Sequence, residues 1–154
     1  MAMDDATSSR FTVGVFQDVE WAERGLQALR QRGFAPESMT IIAKASPEVV
    51  DLVRRSLGSD GTAIDVAGLG SSVAKGPMVA VLQGQDSGLA RKGLAAVMRR
   101  VGFQAHDGRI LETLTARGGV LLAIESEPRA ADALALLHAY GGGNAAIGAW
   151  SGRV

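Results

Sequence analysis

Few residue types in this chain could do covalent chemistry. Ser72 and Lys75, in the stretch SVAK, fit the S-x-x-K spacing in which a lysine amine takes the serine proton and makes the hydroxyl a nucleophile. The companion S-D-N and K-T-G elements are absent, and so is G-x-S-x-G. No acyl-enzyme is expected from so short a pattern, and no catalytic residue is assigned. The surrounding GLGSSVAKGP offers a different chemistry. Glycines let backbone N–H groups approach an anion and Lys75 adds a charge, so Gly68, Gly70, Ser71, Ser72, Lys75 and Gly76 form a candidate anion or small-ligand loop. Their spacing matches neither the Walker loop nor the dinucleotide fingerprint. A tight crossing of the chain over a sheet accounts for the same glycines.

His106 and His138 have no second histidine or carboxylate at ligand spacing apart from Asp107, which reads as a helix cap, so no metal or other cofactor is expected. Cysteine is absent, which excludes thiol catalysis and disulfides and fits a cytoplasmic location. Sixteen basic residues balance sixteen acidic ones, so the total charge gives no reason to expect a nucleic acid or an anionic membrane. Locally, LARKGLAAVMRRVG has helical spacing and sets Arg91, Lys92, Arg99 and Arg100 opposite Ala90, Leu94, Val97, Met98 and Val101. A cationic face of this kind suits an acidic partner, RNA or lipid headgroups, although solvation is the usual fate of surface charge. No aromatic residues are interleaved to stack bases, so no nucleic acid partner is expected. Trp21 and Trp150 complete the interface candidates with Arg91, Arg99 and Arg100, because exposed tryptophan favours contacts that are apolar at one end and wet at the other.

The elements that must position these residues include a repeat. FQDVEWAERGLQALRQRG (16–33) and IESEPRAADALALLHAYG (124–141) align without a gap, with Ala22 on Ala130, Gly25 on Ala133, Leu26 on Leu134, Leu29 on Leu137 and Gly33 on Gly141. These positions recur with the period of one helix face. Asp18 and Ser126 are candidate N-caps, Glu20, Glu127 and Pro128 suit a first turn, and Gly33 and Gly141 suit a left-handed stop. Apolar runs precede and follow each helix, so each copy reads as β-α-β. Two such units predict an α+β, ferredoxin-like fold: a four-stranded antiparallel sheet with both helices on one face.

Between the copies, SPEVVDLVRRSLG predicts a helix over 47–57, SDGTAIDVAGLGSSVAKGP predicts mostly loop, and three further segments with helical spacing follow. The predicted organisation is a flexible tail over 1–10 and a single domain over 11–154, divided into a first unit (11–45), a mainly helical insertion (46–118) and a second unit (119–150). No apolar run reaches the ~18–20 residues of a membrane-crossing helix. In GVLLAI both alternating sets of side chains are apolar, so both faces of that strand need a cover, supplied either by the insertion or by a second copy of the chain.

FTVGVFQDVEWAERGLQALRQRGFAPESMTIIAK, VGFQAHDGRILETLTARGGVLLAIES and GLGSSVAKGPMVAVL together resemble the general stress protein 17M, or heat-induced stress protein, family of bacteria. That resemblance implies a stress-associated role. Many members carry a glycine-zipper hydrophobic hairpin, where this chain has polar LGSDGTAID, so the membrane association it suggests does not transfer. The family supplies no catalytic residues. The sequence therefore predicts a non-enzymatic, stress-associated interaction module that self-associates and has room for a protein partner. The alternative is a small-ligand or anion-binding domain, or a hydrolase, centred on Gly68–Gly76.

Overall fold

Along the first strand, Phe11, Val13 and Val15 face one apolar layer and Phe16 faces another, as the two-residue period of a strand requires. A computed structural model of the chain describes residues 10–125, 129–141 and 149–153. The first repeat unit runs β1 (Arg10–Phe16), α1 (Val19–Gln31), a 3₁₀ turn (Pro36–Ser38) and β2 (Met39–Lys44). The insertion supplies α2 (Pro47–Leu57), β3 (Thr62–Val66), β4 (Gly70–Lys75), α3 (Pro77–Gln83), α4 (Gly88–Arg91), α5 (Leu94–Arg100) and α6 (Ala105–Ala116). The second unit runs β5 (Val120–Glu125), α7 (Ala130–Gly141) and β6 (Ala149–Arg153). The class is α+β. Strands β1 to β5 form an open antiparallel sheet that β6 joins along β1, in the order β3-β4-β2-β5-β1-β6.

The sheet is thus larger than the four strands expected. The excess lies in residues 62–75, which fold as a hairpin where loop was predicted. β4 pairs with β2, setting Ile42 opposite Ala74 and Ala43 opposite Val73, so an exposed edge of β2 recruits a segment of weak intrinsic strand preference. The last strand starts at Ala149, later than the predicted run, whose residues 144–148 lie outside the described residues. So do the expected cap Ser126 and the first-turn residues Glu127 and Pro128.

The repeat is built into the sheet as a local two-fold. In the β1–β5 ladder Thr12 pairs with Ile124 and Phe16 with Val120. The alignment that lays Phe16 on Ile124 also lays Thr12 on Val120, so it exchanges these two pairs and carries Gly14–Leu122 onto itself. The axis passes there. α1 begins as expected, with Asp18 Oδ1 accepting the Trp21 N–H at 2.9 Å, and ends as Phe34 N–H reaches back to the Leu29 carbonyl around Gly33. Ser46 likewise accepts from the Val49 N–H to open α2. Asp107 does not cap α6: the N-cap is Gln104, and Asp107 sits in the first turn, where the helix dipole favours it.

The insertion covers both faces. Leu52 and Val53 of α2 join α1 and α7 against Val120, Leu122 and Ile124. Leu94, Val97 and Met98 of α5 and Leu111 of α6 pack with Leu121 and Ala123 on the other side. The cover that β5 demanded comes from within the chain, and Val81 is the one large apolar side chain exposed among the described residues.

Candidate functional site

The predicted basic helix is two helices. The 3.6-residue period of LARKGLAAVMRRVG runs through a break at Gly93, whose φ of 92° and ψ of 169° end α4 and redirect the chain into α5. A side chain at Gly93 would also press on the Ala67 carbonyl oxygen. Glu112 of α6 reaches across to accept the Ala95 N–H at 3.1 Å, satisfying one of the amides at the start of α5.

That break folds the cations around one carboxylate. Asp86 accepts from Arg100 Nη1 at 3.0 and 2.9 Å and lies 3.1 Å from Lys92 Nζ. Arg100 Nη2 also donates to the Leu82 carbonyl at 2.7 Å. These bonds fix the α3–α4 turn, where Ser87 takes a left-handed φ of 54°, the one such non-glycine backbone among the described residues. Arg91 and Arg99, next in sequence to the two clamped cations, are exposed and make no ion pair among the described residues. Two of the four cations of α4 and α5 are thus paired with Asp86 and two are left exposed.

The Lys92 ammonium first, and then the Arg100 guanidinium, hold the Asp86 carboxyl below the usual carboxylate range. Because the folded value lies below the unfolded one, the stabilisation is present above the ordinary carboxylate pKa and is lost as pH falls through the folded value. The pairs are solvent-exposed, so their contribution is small. Thermal melts of the wild type and Asp86→Asn should differ slightly at neutral pH, with the difference starting to shrink near about pH 4 and vanishing once pH is below the folded value.

The glycine-rich stretch is the turn and second strand of a hairpin instead of a loop. Ser71, Ser72 and Lys75 lie within β4, between β2 and β3, so the ladder engages its backbone; Gly68 lies in the hairpin turn. Ser72 is buried and donates to the Gly70 carbonyl at 3.0 Å. Three residues apart on a strand, Ser72 and Lys75 leave opposite faces of the sheet, so Lys75 cannot take the proton of that hydroxyl; Lys44, opposite Ser72 in the ladder, donates its ammonium to the Ala116 carbonyl at 3.3 Å. Lys75 and Gly76 do reach a cleft of about 430 Å³, with Pro36, Glu37, Met39, Leu57 and Pro77 as its other lining. Sequence reasoning missed Glu37, because nothing local announces a partner so distant along the chain.

Trp21 is half-buried on α1, packed at the edge of the core with Arg24 stacked 5.0 Å from its ring centroid. The backbone of Trp150 pairs with Val13 in the β1–β6 ladder. The side chains of Trp150 and His138 lie outside the described residues, and His106 is exposed. Among the described residues no group of three or more His, Cys, Asp or Glu could hold a metal ion, and no helix is long and apolar enough to cross a membrane. Comparison with family models, curated proteins and solved structures finds no match to this chain.

Proposed function

We propose that this chain is a non-enzymatic interaction module that docks an acidic protein segment on the surface formed by α4 and α5. The observation that carries the reading is the excess of charge there: Arg91, Lys92, Arg99 and Arg100 against Asp86 and Glu112, with Arg91 and Arg99 making no ion pair among the described residues. Such a field steers acidic partners and raises their rate of encounter. The stress association rests on the resemblance to the general stress protein family. The scaffold reads as ferredoxin-like: the order β6-β1-β5-β2, antiparallel throughout, with α1 and α7 in one layer, supports that assignment, and the hairpin extends the sheet beyond β2.

A fluorescent oligoglutamate peptide is the direct probe. Anisotropy at low salt should report binding that weakens as salt rises and falls at least about tenfold in Arg91→Glu/Arg99→Glu, whose fold is spared because neither side chain makes an ion pair among the described residues. Absence of binding at low salt, or an unchanged affinity in the double variant, rejects the reading.

A second reading, self-association, is favoured by β3, which lies at the outer edge of the sheet with Thr62, Ala63 and Asp65 exposed. Light scattering separates the two. An assembly insensitive to the arginine reversals but dissociated by Ala63→Pro supports strand-edge pairing, and a monomer at all concentrations excludes it.

A further inference from the structure

The cleft beside Lys75 has a composition that neither the sheet nor the cationic surface requires. Its walls come from five places in the fold: the 3₁₀ turn gives Pro36 and Glu37, β2 gives Met39, α2 gives Leu57, β4 gives Lys75, and the link into α3 gives Gly76 and Pro77. Pro36, Leu57 and Pro77 give it apolar surface beside the polar groups, with Met39 buried beneath. Lys75 is half-buried and Glu37 is exposed, and neither side chain makes a hydrogen bond or ion pair among the described residues. Although they line the same cleft, the two do not pair with each other. The cleft thus offers an ammonium and a carboxylate, each with its bonding capacity open among the described residues.

At about 430 Å³ the space lies at the small end of the usual range for ligand pockets, about 300–1,000 Å³. The complement of this arrangement is a small zwitterion with an apolar body. We infer that the cleft binds a free α-amino acid with an apolar side chain, its carboxylate on Lys75, its ammonium on Glu37 and its side chain against Leu57 and the two prolines. Charge-assisted hydrogen bonds at both ends fix the orientation, and burial of the side chain sets the preference for large apolar over small residues. The inference is independent of the docking surface on α4 and α5, which shares no residue with the cleft.

The test is a titration of the isotopically labelled full chain with L-leucine, followed by amide chemical shifts, with glycine, N-acetyl-leucine and leucinamide as comparison ligands. Leucine is expected to give saturable shifts at Glu37, Met39, Leu57, Lys75 and Gly76. Removing the ligand's ammonium charge by acetylation, or its carboxylate by amidation, should weaken binding at least about fivefold, and glycine should bind more weakly still. Lys75→Met and Glu37→Gln should each weaken leucine binding by a similar factor with the melting temperature unchanged. The proposal is overturned by any one of three results: no saturable shift at millimolar leucine, shifts confined to another part of the molecule, or N-acetyl-leucine binding as well as leucine. The ligand comparisons use the wild-type chain, so they decide the matter even if a variant fails to fold.

Discussion

Gly76→Ala should destabilise the fold by about 3 kcal/mol or more, lowering the melting temperature of a chain this size by roughly 10 °C. Two costs add. Gly76 has φ 126° and ψ 172°, a backbone region almost reserved for glycine, and leaving it or enduring it costs about 1–3 kcal/mol. A methyl group there would also overlap the Met39 carbonyl oxygen and the Thr40 backbone, which belong to β2 inside the sheet and cannot swing aside as a flexible side chain would. Relief would have to come from shifting α3, and α3 is tied down by the Met78 N–H bond to Thr40 Oγ1 at 2.9 Å. Gly70→Ala is the internal comparison: its φ of 87° is also left-handed, but nothing lies within 4 Å of the added carbon. Urea unfolding should therefore show a loss of only about 1–2 kcal/mol there. Equal losses at the two positions would mean that the contact of Gly76 with β2 is not as described.

Leu121→Ala and Leu122→Ala should each cost about 2–5 kcal/mol, although the two side chains leave opposite faces of the same strand. Leu121 is fully buried beneath α3 to α6 and Leu122 is 1% exposed beneath α1, α2 and α7. In a sheet with one solvated face, one of the two would be nearly neutral. Because the residues share no packing partners across the sheet, the double substitution should lose close to the sum of the single losses. Equilibrium unfolding of the three variants checks this, and a loss under about 1 kcal/mol for Leu121→Ala would mean that the inserted helices do not form a packed layer.

The parts of the fold written in local chemistry were readable from sequence. Asp18, Ser46 and Gly33 act where their side chains or lack of one predict. The doubly apolar pattern of GVLLAI correctly demanded cover on both faces. The repeat alignment also carries a packing trade: Gly25 faces the Phe16 ring with no room for a methyl group, and the equivalent places hold Ala133 and Ile124. What depended on distant partners was not readable. β4, with its serines and alanine, is a strand because β2 offers an edge, and its own composition says loop. The four cations were visible as residues, but the pairing of Lys92 and Arg100 with Asp86 required the turn at Gly93 that the helical period concealed. Likewise Lys75 was singled out for a glycine loop, whereas its place opposite Glu37 arises from β2 and β4 lying side by side.

The position of β5 between β2 and β1 bears on the order in which the chain is made. When residues up to the end of α6 have been synthesised, β3, β4 and β2 can pair with one another, and β1 has no neighbour. The slot between β2 and β1 is filled only when Val120–Glu125 emerges, bringing the side chains on which both apolar layers close. The N-terminal three-quarters of the polypeptide is therefore not a folding unit, and the nascent protein exposes two unsatisfied strand edges until its late arrival joins them. A holding chaperone would have its period of usefulness in that interval, and a ribosome stalled before β5 would present an open, aggregation-prone sheet.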